Sequence, residues 1–192
     1  NQLYNQTGSI TLNGTTLEFF KTYGIYNNGG TTTMTGGLID MTGNTSGIAI
    51  YPVSGSTTTL SNLNIINSNY GVYVSASSTI NLTNVNVSNN VWPLWYAGNG
   101  SLTVSGSSSF TGNTRNIAYV QFGSVSTSLT FPKVNVPYYF ESSFTVNTGA
   151  TLTIGSGNIL KFPLSYGLIV NGTLIADAAV GENIFFTSHR DD

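Results

Sequence analysis

The stretch "GTTTMTGGLID" (Gly30–Asp40) is rewritten three times in this chain. It returns as "GSTTTLSNLNI" from Gly55, "SSTINLTNVNV" from Ser77 and "GSLTVSGSSSF" from Gly100. Aligning the phrase along the whole chain gives seven polar pairs: Ser9/Thr11, Thr31/Thr33, Thr57/Thr59, Thr79/Asn81, Ser101/Thr103, Ser128/Thr130 and Thr151/Thr153. Successive pairs are 22, 26, 22, 22, 27 and 23 residues apart. Apolar residues such as Leu60, Leu82 and Leu152 lie between and after the polar positions, at odd spacing from the first of each pair. Each phrase thus alternates with period two, the pattern of a strand with one buried face.

A second column lies further along each repeat, in "GIAIY" at Gly47, "GVYV" at Gly71, "VWPLW" at Val91 and "NIAYV" at Asn116. Polar turns ending in Asn44, Asn69, Asn90 and Asn113 separate the columns. No apolar stripe of helical period survives the density of Gly, Asn, Ser and Thr. Short strands of this kind bury their apolar face by stacking on their own copies. The expected fold is therefore all-β: a right-handed parallel β-helix of 22–27 residues per rung and roughly eight rungs, forming one domain over residues 1–192. An antiparallel sandwich offers no reason for columns in register across seven copies. In a parallel stack each residue lies about 4.8 Å above its equivalent, so like residues pair and turn asparagines form ladders. The segment "VPYYFESSF" (Val136–Phe144) breaks the pattern and predicts an irregular insertion near 132–147.

Composition narrows the function classes. Charged residues are 6% of the 192, about a quarter of the usual share. The net charge of −2 offers no footprint for nucleic acid or an anionic membrane. No apolar run is long enough to span a bilayer. The absence of cysteine excludes disulfides and thiolate metal sites. Seven N-x-S/T sequons, at Asn5, Asn13, Asn44, Asn81, Asn86, Asn99 and Asn171, fit glycosylation of a secreted chain.

The segment from Gly149 to Asp192 reads as a Gly–x–Leu–x–Ile rung, then Lys–Phe, then Val–x–Gly–x–Leu–x–Ala, then Ile–x–Phe–Thr–Ser and an acidic pair. Gly149, Leu152, Ile154, Lys161, Phe162, Val170, Gly172, Leu174, Ala176, Ile184, Phe186, Thr187, Ser188, Asp191 and Asp192 carry it. It resembles the right-handed β-helix repeats of large secreted and surface-anchored, adhesin-like prokaryotic proteins. The resemblance covers roughly the last quarter of the chain. It implies the same fold, a cell-surface or extracellular placement, and a module of a longer chain.

Many β-helices act on polysaccharides, and such activity makes demands on the acidic residues. A lyase needs clustered Asp for a cation with a base nearby, and a hydrolase needs two carboxylates on neighbouring rungs. In the repeat alignment Asp40 falls with Asn64 and Asn86, and no two of the seven acidic residues occupy equivalent positions on successive rungs. His189, beside Arg190, reads as a loop residue, and Asp191 and Asp192 as a surface pair. The expectation is no catalysis, no cofactor and no metal.

Function then falls to the outer surface. Tyr51, Tyr73, Trp92, Trp95, Tyr96 and Tyr119 cluster at the second column, and rings of this kind are a platform for a neutral polysaccharide. Simple alternation places Trp92, Leu94 and Tyr96 on one face, Pro93 and Trp95 on the other, and Tyr73 outward. The other surface is a hydroxyl face of Thr11, Thr31, Thr33, Thr57, Thr59, Thr79, Thr103, Thr130, Thr151 and Thr153, similar to the flat faces of ice-binding solenoids. Unpaired rungs at the two ends predict contact with continued rungs of the same chain or with other copies in a fibre. The leading expectation is a structural or adhesive extracellular module. The alternatives are a fibre subunit, an ice-binding protein and a polysaccharide-degrading β-helix.

Overall fold

In a computed structural model, which describes residues 2–18, 22–42 and 46–191, the repeat becomes strand register. Ser9, Thr31, Thr57, Thr79 and Ser101 are partners on successive parallel strands, as are Thr11, Thr33, Thr59, Asn81 and Thr103. Further along, Thr130 pairs with Thr153, and Thr151 with Thr173. The last of these adds a copy that the sequence alignment missed. Asn1, Asn44 and Asp192 lie outside the described residues.

Each of the first five turns runs through two strands. These are β1 (Leu3–Asn5) and β2 (Ser9–Glu18), β3 (Tyr23–Asn28) and β4 (Thr31–Asp40), β5 (Ile48–Val53) and β6 (Thr57–Ile66), β7 (Tyr70–Val74) and β8 (Thr79–Ser88), β9 (Trp92–Tyr96) and β10 (Ser101–Ser105). The next three turns use three short strands each: β11 (Ala118–Val120), β12 (Ser124–Val125) and β13 (Leu129–Phe131), then β14 (Tyr138–Phe140), β15 (Phe144–Val146) and β16 (Thr151–Ile154), then β17 (Ile159–Phe162), β18 (Leu168–Val170) and β19 (Thr173–Ile175). The last strand is β20 (Phe185–Ser188). The result is a parallel β-solenoid of about eight turns, with no helix among the described residues.

One nine-stranded sheet, β1-β3-β5-β7-β9-β11-β14-β17-β20, runs the length of the solenoid. The other walls change midway. A five-stranded sheet, β10-β8-β6-β4-β2, serves the first five turns; two three-stranded sheets, β12-β15-β18 and β13-β16-β19, serve the rest. The irregular stretch lies between these halves, at 106–117, where Phe110 is buried. Residues 132–147, expected to be irregular, instead contain β14 and β15 in register with their neighbours. Tyr138, Phe140 and Phe144 are aromatic core residues there, which disguised a regular turn as a break.

The ten-residue strands bend in their middle. Gly14, Gly36, Asn62 and Asn84 stack at the bend with φ between 54° and 69°. Gly and Asn tolerate this left-handed conformation best, which explains their recurrence at one column. Asn84 Nδ2 also donates to Asn62 Oδ1 at 2.9 Å across the rungs. On either side of the bend, Met34, Leu60 and Leu82 form one inward row and Ile39, Ile65 and Val87 another; all six are fully buried.

Corners of the solenoid bury backbone polar groups, and asparagines satisfy them. Asn90 is buried; its Nδ2 donates to Ile65 O, Ser88 O and Asn113 Oδ1, while its Oδ1 accepts from Ser68 N and Oγ. Asn113 repeats the arrangement, donating to Val87 O and Phe110 O. The expected ladder therefore includes Asn90 and Asn113, but Ser68 rather than Asn69 precedes them. Buried Asn5, Asn27 and Asn158 serve other corners; Asn27 Nδ2, for instance, donates to Thr57 O and Thr58 Oγ1. Because several buried partners are orphaned together, Asn90→Ala is expected to destabilise the fold by about 3 kcal/mol. The exposed Asn86→Ala should stay within about 0.5 kcal/mol. Urea unfolding of the two variants measures both.

Candidate functional site

A row of aromatic side chains runs down the outside of the nine-stranded sheet. Tyr4, Tyr26, Tyr51, Tyr73, Trp95, Tyr119 and Tyr139 occupy one outward column, one per turn, over about 30 Å at the usual strand spacing. Tyr23, Tyr70 and Trp92 stand three residues earlier on their own strands and form a partial second column. The order of exposure is the same in β3, β5, β7 and β9: outward, inward, inward, outward, inward. Two consecutive inward residues arise because each strand begins at a corner. The corner residue is small or rigid (Gly24, Ala49, Gly71, Pro93), since a Cβ on Gly71 would sit 2.5 Å from Val87 Cγ1.

This corner corrects the expectation from simple alternation. Trp92 faces outward with Trp95, whereas Pro93 and Leu94 both point inward. Tyr96 is fully buried and does not belong to the outer face. Its column is Val74, Tyr96, Val120 and Phe140, a row of the core. Tyr51, Tyr73, Trp92, Trp95 and Tyr119 do share the outer face. Tyr4, Tyr23, Tyr26 and Tyr139 extend it beyond the expected cluster. The signal for Tyr23 and Tyr26 is the four-residue phrase Tyr23-Gly-Ile-Tyr26, which recurs as Ile48-Ala-Ile-Tyr51, Tyr70-Gly-Val-Tyr73 and Trp92-Pro-Leu-Trp95, with a ring at the fourth position each time and at the first in three of the four.

Ring orientation divides the face. At the N-terminal end the rings are nearly parallel: Tyr4–Tyr26 at 4.9 Å and 12°, Tyr23–Tyr51 at 4.8 Å and 7°. Stacked in this way, the rings cover one another's faces and turn their edges and hydroxyls outward. In the middle Trp95 and Tyr119 still stack, at 4.3 Å and 30°, but the planes around them rotate. Tyr73 stands at 69° to Tyr51, Tyr70 at 75° to Trp95, and Trp92 at 88° to Trp95. Polar groups flank this middle section. The Arg115 guanidinium lies 4.3 Å from the Trp92 ring centre, and Trp95 Nε1 donates to Gln121 Oε1 at 3.1 Å. Burial pushes the Tyr119 phenol up, and the adjacent Glu141 adds to the shift. Burial likewise raises Tyr51 and Tyr73, reinforced by neighbouring phenols. At the C-terminal end, His189 stacks on Tyr139 with ring centres 3.4 Å apart.

The hydroxyl face is a second surface. Three polar columns, headed by Ser9, Thr11 and Asn13, cross the five-stranded sheet. Neighbouring hydroxyls bond to each other, as Ser61 Oγ does to Thr35 Oγ1 at 3.1 Å. Thr130, Thr151 and Thr153 lie on the separate sheet of β13, β16 and β19, so the ten expected threonines do not form one continuous sheet.

The acidic residues fall differently from the sequence alignment. Register pairs Glu18 with Asp40, and Asp40 with Ile66; Asn64 and Asn86 belong two residues earlier, with Leu38. Two carboxylates therefore do occupy equivalent positions on neighbouring rungs. Asp40 is committed to the turn: Oδ1 accepts from Thr42 N, Thr42 Oγ1 and Asn67 Nδ2. Burial alone would raise its carboxyl, but these hydrogen bonds outweigh it and hold the group below its ordinary value. Glu182 pairs with Lys133 and accepts from Ser156 Oγ. Among the described residues, no three His, Asp or Glu side chains lie close enough together to hold a metal ion.

No family model matches the chain, and no solved structure matches it. Protein bark beetle of Drosophila melanogaster is 43% identical over 54 residues, which make up 28% of this chain and 2% of that protein. The chain thus spans a small fraction of that relative, and the similarity assigns it no family.

Two buried phenols give the fold a pH limit. Burial raises both Tyr96 and Tyr138 above the ordinary value of 10.0. Both stay protonated in the fold but ionise in the unfolded chain above that pH. Stability is therefore complete below pH 10 and falls beyond it, by about 1.4 kcal/mol per pH unit for each phenol. An alkaline titration should show the outward tyrosines ionising first. The last two phenolates should appear only as the strand ellipticity is lost.

Proposed function

We propose that this chain is a non-catalytic structural and adhesive β-solenoid module of an extracellular or cell-surface protein, and that its aromatic face holds a neutral polysaccharide. The observation that carries this proposal is the middle of the aromatic column. There Tyr70, Tyr73 and Trp92 turn out of the stack, beside Trp95, Tyr119, Arg115, Gln121 and Glu141. Rotated ring planes offer faces to the apolar C–H side of a sugar, and the flanking amide, guanidinium and carboxylate offer hydrogen bonds to its hydroxyls. A linear ligand suits rings that follow one another in a straight column, and a neutral one suits a surface with so few charges.

Two further features support the extracellular part. The side chains of Asn13, Asn86, Asn99 and Asn171, each in a sequon, are exposed, and none lies on a strand of the nine-stranded sheet. Glycans at these positions would leave the aromatic face bare. Asn5, by contrast, is buried and hydrogen-bonded, and cannot carry one.

Retention on insoluble neutral glycans, compared with acidic ones, is the direct test. Trp95→Ala or Tyr119→Ala is expected to weaken binding at least about tenfold, the scale of one aromatic anchor. Tyr4→Ala, in the edge-on stack, should leave it unchanged. Retention indifferent to Trp95 and Tyr119 would overturn the assignment, and so would release of reducing or unsaturated ends from the glycan.

A further inference from the structure

The eleven tyrosines are unevenly placed. Tyr96 and Tyr138 are in the core and Tyr166 is exposed near the C-terminal rung, while the remaining eight share the outer face of the nine-stranded sheet. The core takes phenylalanine instead: Phe110, Phe131, Phe140, Phe144 and Phe162 are all buried. At the N-terminal end of the face, four phenols from three successive turns form a single stack. Tyr26 lies 4.9 Å from Tyr4, 5.2 Å from Tyr23 and 5.4 Å from Tyr51, and Tyr23 lies 4.8 Å from Tyr51. The chain has no cysteine, so no disulfide ties one turn to the next.

We propose that this stack is a site of oxidative cross-linking, where Tyr4 is joined to Tyr26, or Tyr23 to Tyr51, as dityrosine by a haem peroxidase acting with hydrogen peroxide. Each of the two phenols gives up one electron and its O–H proton, leaving a pair of neutral phenoxyl radicals. The radicals join through a carbon–carbon bond at the positions ortho to oxygen. Each coupling carbon then passes its hydrogen to the phenol oxygen as the ring regains aromaticity. The two electrons and two protons reduce one peroxide to two waters, so the step closes without another reactant.

Stacking favours this outcome in two ways. A radical formed on any of the four rings has a neighbour at nearly the same short distance, so the unpaired electron can pass along the stack. The coupling partner is also already at hand: rotation of the outward rings about their side-chain bonds, from face to face towards edge to edge, brings their ortho carbons together. Strand register fixes which residues meet: Tyr4 with Tyr26, one turn apart. Each link would staple neighbouring turns of the solenoid to one another. Since it uses rings outside the Trp92–Trp95–Tyr119 section, it stands apart from carbohydrate binding.

The test treats the purified chain, at low concentration, with a haem peroxidase and hydrogen peroxide. Dityrosine fluorescence and peptide mapping by mass spectrometry read the product. The expected result is a chain of monomer size carrying Tyr4–Tyr26 or Tyr23–Tyr51 links. The Tyr23→Phe, Tyr26→Phe double variant should cut the yield severalfold, and Tyr166→Phe should leave it unchanged. Because Tyr→Phe removes only a hydroxyl, the solenoid is retained, and the ellipticity of each variant checks this. In urea, where the stack is lost, the same links should give way to scattered ones. The proposal is overturned by an absence of coupling, by products that are only interchain, or by links in the folded chain that favour Tyr166 or non-neighbouring tyrosines.

Discussion

Everything in this molecule depends on parallel strands stacking in register at about 4.8 Å. That spacing places each side chain over its equivalent in the next turn, so a position is a column before it is a residue. An apolar column makes core, as with Met34, Leu60 and Leu82. A hydroxyl column bonds along its own length. An asparagine at a corner finds backbone groups of two turns within reach, as Asn90 does with Ile65 and Ser88. An outward aromatic column places rings at stacking distance with no further design. The low charge of the chain follows as well, since a charged column would set like charges about 4.8 Å apart along the whole wall.

The fold was legible because columns leave a period in the sequence. Thr31, Thr57 and Thr79 mark it, and their strands pair at the positions the repeat implied. The same logic failed where side chains changed character while the backbone did not. Tyr138 and Phe140 fill the space that Ala118 and Val120 fill one turn earlier, so a regular strand read as an interruption. Around 106–117 the reverse holds: Ser- and Gly-rich sequence resembling the repeat belongs to the one stretch where the walls are rebuilt.

The outer face was only half legible, for a reason of geometry. Strict alternation assumes a straight strand, whereas β9 starts at a corner and spends Pro93 on the turn. That shift moves Trp92 outward and leaves Tyr96 with Val74 and Val120 in the core. Register decided the carboxylates in the same way. The register is constant through the bend, so Asp40, nine residues after Thr31, pairs with Ile66, nine after Thr57, and with Glu18, nine after Ser9, while Asn64 stands two residues short of that position. Polarity alone matches Asp40 to the nearest asparagine, whereas counting from the Thr31 column leads to the apolar Ile66.

Among the described residues, the nine-stranded sheet is the only sheet that crosses from the first five turns to the last three, since β10 and β13 belong to different sheets. Mechanically the solenoid is therefore two stiff segments joined along one side. A pull along its axis is shared by all the walls within each segment. At the junction it passes mainly through the pairing of β9 with β11, with the bonds of Asn135 to Phe110 and Ser109 beside it. Bending would concentrate there too, closing or opening the gap on the side away from the aromatic rings, so that face keeps its length while the rest of the rod flexes.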